Sequence, residues 1–178
     1  MHSYDYSHRD GVEPISWERF AELSRDLALR LDAHRIELVV GVARSGLFPA
    51  TAVACALRCE FFPVRLSRRE GDEVRHSHPV WRVPVTDHVK GKCVVVIDEI
   101  ADTGETLEMV RQEVSAHGAS SVVTAVLVGH SWAEPAPDIT VLRTDALVLF
   151  PWDREVITDG AWVPNPELEK ALRLQSQK

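Results

Sequence analysis

The chain has 178 residues, 45% hydrophobic and 26% charged, with a formal net charge of −7. That length and balance suit a single domain over residues 1–178 with one sizeable core. The acidic balance argues against a general nucleic-acid binder, which needs a basic surface, and no stretch is apolar for long enough to span a membrane.

Taken in chain order, the pattern reads as strands alternating with helices. The first residues, Met1 to Asp10, are polar and carry no signal-peptide pattern. Ser16 is placed to cap a helix from about Trp17 to His34, with Trp17, Phe20, Leu23, Leu27 and Leu31 on its apolar face. Ile36 to Val42 reads as a buried strand. Phe48 to Arg58 is alanine-rich and helical, with Pro49 tolerated in the first turn. Phe61 to Leu66 is a second strand. Ser67 to Pro79 is polar and nonperiodic and reads as a long mobile loop, with a returning strand over Trp81 to Val85. A helix from Leu107 to His117 ends at a capping Gly118. Ser121 to Val128 is a third core strand, Ala146 to Phe150 a later one, and Pro166 to Lys178 a surface helix. Alternation of this kind implies an α/β fold with a mostly parallel central sheet flanked by helices.

The three cysteines, Cys55, Cys59 and Cys93, have no framework spacing, which fits a reducing cytosol and a cytoplasmic protein. Two of them lie one helical turn apart without nearby histidines, a poor zinc site, so all three are expected to be core residues.

The most informative stretch runs from Val94 to Thr106. Val94-Val95-Val96-Ile97 is a strand buried on both faces. Asp98 and Glu99 follow where that strand should end, then Ala101-Asp102-Thr103-Gly104-Glu105-Thr106 leads into a helix. Such a loop offers backbone N–H groups and hydroxyls at a helix N-terminus, where the dipole favours an anion. The acidic pair would repel that anion and suits hydroxyl donors, a magnesium ion or a developing cation. A sugar phosphate with free hydroxyls meets both needs. A Walker B strand would also end in Asp-Glu, but it needs a phosphate-binding lysine upstream. The nearest candidate, Gly41 to Gly46, is followed by Leu47 and Phe48. No G-x-G-x-x-G supports a dinucleotide fold.

Residues 94–106 resemble the signature of type I phosphoribosyltransferases, which bind 5-phosphoribosyl pyrophosphate (PRPP). The resemblance runs in patches from about Ile36 to Asp153. It implies the fold of that family: a core over about 36–130, a flexible loop over about 67–80, and a small base-binding hood over about 130–165. It implies that Asp98 and Glu99 face the ribose 2′- and 3′-hydroxyls, and that Ala101, Asp102, Thr103, Gly104, Glu105 and Thr106 wrap the 5′-phosphate. Ala43-Arg44-Ser45-Gly46 is similar to the family's pyrophosphate loop, with Arg44 offering planar donors and Ser45 where many relatives have glycine. The 67–79 stretch resembles the family's closing loop, whose Arg68, Arg69 and Arg75 would face pyrophosphate.

Pro137-Asp138, Asp145 and Phe150-Pro151-Trp152-Asp153 resemble the xanthine–guanine and hypoxanthine branch. The resemblance implies transfer of the phosphoribosyl group to a nucleobase, an oxopurine above all, with Asp102 near N7 of the base as general base. It implies Mg2+, with Asp98, Glu99 and Asp153 toward the metal, and a homo-oligomer whose partners are small molecules. Two positions depart from the branch. His130 stands where purine enzymes carry a lysine that reads the exocyclic oxygen, and Leu147 or Val148 stands where an aromatic residue stacks on the base. Trp132 or Trp152 could stack instead. The alternatives are a PRPP-binding regulator without turnover and a transferase with a non-purine acceptor.

Overall fold

A computed structural model describes residues 9–70, 73–76 and 78–175, without the side chains of residues 69–74. Its elements are β1 (Val12–Pro14), α1 (Trp17–Asp32), β2 (Leu38–Ala43), α2 (Leu47–Leu57), β3 (Glu60–Ser67), β4 (Arg69–Glu70), β5 (Glu73–Val74), β6 (Val80–Val83), β7 (Cys93–Ala101), α3 (Glu105–Ala116), β8 (Ser121–Gly129), β9 (Ile139–Arg143), β10 (Leu147–Leu149), β11 (Glu155–Thr158), β12 (Ala161–Pro164) and α4 (Pro166–Gln175). The chain forms two compact units. One is Glu22–Arg143, the other the described residues of Met1–Ala21 and Thr144–Lys178.

The larger unit is built on a six-stranded sheet in the order β6-β3-β2-β7-β8-β9. Every ladder in it is parallel except that between β3 and the edge strand β6. Leu38–Val40 and Val94–Ile97 are 0% exposed. A parallel strand covered on both faces needs apolar residues at successive positions, which is why these runs are unbroken rather than alternating. Gly41 shows how closely α2 packs. A Cβ there would come 2.8 Å from the Ala50 Cβ and 2.9 Å from Phe61 Cε2.

Strand order decides where a ligand can sit. From β2 the chain moves outward to β3, and from β7 it moves the other way to β8 and β9. The order reverses between β2 and β7, and the crevice at the carboxyl ends of such a pair is the open position in a sheet of this type.

Local signals that need only near neighbours agree with the structure. Ser16 Oγ accepts the Arg19 backbone N–H at 3.1 Å, and Leu23, Leu27 and Leu31 are buried on α1. Trp17, by contrast, is 51% exposed. Gly118 takes the left-handed φ of +84° just past α3.

Several expectations change. β7 does not end before the acidic pair. It pairs with β8 through Ala101–Gly129, while its ladder to β2 stops at Gly41–Ile97. The 67–79 stretch is not without regular structure, because β4 and β5 pair antiparallel within it. β10 is a strand, as expected, but it pairs with β1 rather than joining the main sheet. β1, β9 and the β11–β12 hairpin were not expected. The cysteines are not core residues: Cys55 is exposed, and Cys59 and Cys93 are half-buried.

The smaller unit holds the β1–β10 pair, the β11–β12 hairpin and α4. Its aromatic residues pack together. Trp152 stacks on Phe150 with centroids 4.8 Å apart and meets Phe20 edge-on at 5.3 Å. Among the described residues no helix is long and apolar enough to cross a membrane.

Candidate active site

Three sequence-predicted segments leave the sheet at the carboxyl ends of adjacent parallel strands. Ala43–Gly46 leaves β2, Asp98–Thr106 closes β7 and leads to α3, and His130–Trp132 follows β8. The first two flank the reversal point between β2 and β7.

Gly46 and Asp98 are fitted to each other. A Cβ on Gly46 would lie 2.5 Å from Asp98 Oδ1, 2.9 Å from Asp98 Cα and 2.5 Å from the Val42 carbonyl oxygen. Only glycine lets the backbone of the 43–46 turn pass so near the carboxylate. Arg44 beside it is exposed and Ser45 half-buried. The Ala43–Arg44 peptide bond is cis.

Asp98 and Glu99 are half-buried near the end of β7, and their side-chain carboxyls interact with each other. Asp98 Oδ1 accepts the Glu99 backbone N–H at 3.0 Å. Burial, and after it the charge of Glu99, push the Asp98 carboxyl well above the usual carboxylate range. The sign for stability follows. A raised folded value makes ionisation costlier in the fold than in the unfolded chain. The charged carboxyl therefore subtracts stability as pH rises above its unfolded value of roughly 4. Asp98→Asn is expected to raise the melting temperature of the ligand-free protein near neutral pH, by roughly 2–4 °C per kcal/mol gained. Near pH 4 the gain should disappear. Thermal melts at both pH values check this, and a fall in melting temperature at neutral pH would contradict it.

The phosphate loop is backed by the segment after β8. The His130 N–H donates to the Ala101 carbonyl at 3.2 Å and the Glu134 N–H to the Thr103 carbonyl at 3.0 Å. Gly104 has φ +83° and caps α3, and a Cβ there would run into the Pro135 carbonyl oxygen. Glycine is thus required twice over, by backbone conformation and by close approach. The start of α3 brings its dipole to the end of the loop.

Glu105, in the first turn of α3, is engaged by side chains from outside the helix. His78 Nδ1 donates to its Oε1 at 2.7 Å, and Arg68 lies 3.4 Å from its Oε2. These contacts tie the stretch between β3 and β6 to the phosphate loop. The Arg69 side chain lies outside the described residues.

Asp102 accepts a hydrogen bond from Trp132 Nε1 at 3.1 Å. The Trp132 ring stacks on His130, with centroids 4.6 Å apart and planes at 14°. His130 is 4% exposed. The Trp132–Asp102 contact has no local signal, because thirty residues separate the partners and neither lies in a motif that names the other.

The remaining candidates lie in the smaller unit. Leu147 is 4% exposed within β10 and Val148 is half-buried. Trp152 packs among aromatic rings as described, and the Asp153 carbonyl accepts from Asn165 Nδ2 at 2.8 Å.

Comparison with known proteins shows the family. The family described as "Phosphoribosyl transferase domain" matches residues 15–158. The xanthine-guanine phosphoribosyltransferase of Nitratidesulfovibrio vulgaris is 32% identical over 148 residues, covering 82% of this chain and 86% of that protein. The enzyme of the same name from Roseobacter denitrificans is 31% identical over 170 residues, covering 86% of this chain and 93% of its own. The crystal structure of a purine phosphoribosyltransferase from Pyrococcus horikoshii superposes with a TM-score of 0.73 at 30% identity, over 83% of this chain and 98% of that one. With the match spanning most of the sheet and all of the loops at its carboxyl edge, the chain belongs to the phosphoribosyl transferase family.

Proposed function

We propose that this phosphoribosyl transferase moves the 5-phosphoribosyl group of PRPP to an oxopurine base and releases pyrophosphate. One observation carries the reading: the acidic pair, the glycine-capped phosphate loop and the arginine turn share one end of adjacent strands at the reversal point. The xanthine-guanine names of the relatives support the choice of base.

Each group then has a task. Breaking the bond at C1′ of the ribose creates positive character on the sugar, as in glycoside chemistry. Asp98 and Glu99 hold the ribose hydroxyls and favour that charge. The N–H groups of residues 101–106 hold the 5′-phosphate, and this remote binding positions the reacting carbon. Arg44 serves the pyrophosphate oxygens. Asp102 accepts the proton that the base loses at N7 as N9 bonds to C1′. His130, buried with one ring face against Trp132, can read a base oxygen only through a ring nitrogen.

Magnesium fits this donor set. Among the described residues no group of three or more His, Cys, Asp or Glu forms a cage, and magnesium is commonly held by one or two carboxylates together with substrate oxygens. Asp98 and Glu99 would hold it, and it would neutralise charge on the leaving pyrophosphate.

Calorimetric titration with PRPP and magnesium tests the assignment. The wild-type protein should bind, and Asp98→Asn/Glu99→Gln, still folded, should lose binding by roughly a hundredfold or more. Equal affinity in the two proteins would remove the acidic pair from the site.

A further inference from the structure

We propose that Trp132 is a positioning residue for Asp102. Seated on the ring of His130, its indole aims an N–H at the carboxylate that takes the proton of the incoming base. The proposal rests on the reading of Asp102 as that proton acceptor.

Four contacts carry it. Trp132 Nε1 donates to Asp102 Oδ1 at 3.1 Å. The indole lies nearly parallel to the His130 imidazole, 4.6 Å away. His130 in turn is buried, and its backbone N–H is bonded to Ala101, the residue before Asp102. Beyond the tryptophan, the Glu134 N–H is bonded to Thr103, the residue after Asp102. The 130–134 segment is therefore laced to the loop on both sides of Asp102, and the indole bond reaches across between those two ties.

The chemistry of the group fits the task. Asp102 stands on a loop just past the end of β7, where an aspartate side chain has several staggered orientations open to it. A hydrogen bond to a fixed donor selects one of them. Indole N–H donates and cannot accept, so it orients the carboxylate without competing for the proton. Trp132 is 40% exposed, an unusual place for the largest side chain. The stack on His130 accounts for a fixed ring there, and the bond to Asp102 accounts for its direction. Proton transfer depends steeply on the placement of the accepting atom, so the effect belongs in turnover rather than in PRPP binding.

Trp132→Phe keeps an aromatic ring to stack on His130 and removes the N–H together with part of the ring area. Steady-state pyrophosphate release with an oxopurine should show kcat reduced by roughly tenfold, with the KM for PRPP unchanged. In the Asp102→Asn background the same change should cost less than about twofold, since there is no longer a proton acceptor to place. Three results would each overturn the proposal: full kcat in Trp132→Phe, a loss confined to the KM for PRPP, or the same fractional loss in both backgrounds. Failure of the underlying reading looks different. Asp102→Asn would then turn over at the wild-type rate, whatever Trp132→Phe does, and the positioning role would fall with it.

Discussion

Gly104→Val is expected to raise the KM for PRPP by roughly 10²–10⁴-fold while leaving the sheet folded. Two costs act at this position. Gly104 sits at φ +83°, a region that costs an L-residue about 1–2 kcal/mol, with β-branched side chains worst placed. Its Cβ would also meet the Pro135 carbonyl, and the carbonyl carbons of Glu134 and Pro135 lie 3.2 and 3.3 Å from the same point. Those atoms are backbone and are tied to Thr103 by the Glu134 N–H, so they cannot move aside without moving the loop itself. The loop must give way, and its N–H groups lose their common aim. Each hydrogen bond to a charged phosphate is worth about 1.5–3 kcal/mol, so two lost bonds account for the predicted range. The buried strand Val94–Ile97 is untouched, and circular dichroism should remain that of the parent. Steady-state kinetics with varied PRPP check the expectation. A KM within about threefold of the parent would remove the 101–106 loop from the phosphate site.

Asp102→Asn is expected to lower kcat by roughly 10²–10⁴-fold, the usual scale for losing a general base, with little change in either KM. The substitution is nearly isosteric. The amide oxygen still accepts from Trp132 Nε1, so the geometry at 3.1 Å has no reason to relax. Proton acceptance is what goes. A loss expressed mainly in the KM for PRPP would instead place Asp102 with the phosphate-binding groups. The two variants thus separate binding from chemistry within one six-residue loop: position 104 governs PRPP and position 102 governs turnover.

How far such a site can be read from a sequence depends on whether its determinants are local. The Val94–Thr106 run carries its own explanation, since burial, charge and loop chemistry follow each other along the chain. The Ser16 cap and the Gly118 terminus are local in the same sense. Non-local facts were not legible. β10 reads as a strand from its own residues, but nothing in them says that its partner is β1. β7 was cut short because carboxylates look like a strand end, whereas its pairing with β8 carries it on to Ala101. The fit of Gly46 against Asp98 and the bond from Trp132 to Asp102 join residues from different loops.

The β11–β12 hairpin, by contrast, does have a local signal. Asp159-Gly160 joins β11 to β12 with both residues at positive φ, 51° and 79°. An Asp-Gly pair between short apolar runs is a hairpin mark that could have been taken from the residues alone. β9, Ile-Thr-Val-Leu-Arg, also has strand composition, but it follows directly on Pro135-Ala136-Pro137-Asp138, whose prolines read as loop and mask its start. The cysteines were misplaced because small size and low polarity say what a residue can tolerate, not where its neighbours put it.

Pyrophosphate release from PRPP decides whether the chain is a transferase. Purified protein with magnesium and PRPP would be offered hypoxanthine, guanine, xanthine, adenine, uracil and orotate, with products identified by mass. Turnover is expected with at least one of the first three, with a product whose mass is that of the base nucleotide. PRPP binding with no pyrophosphate released for any base would contradict it, and would make the chain a binder of PRPP rather than a transferase.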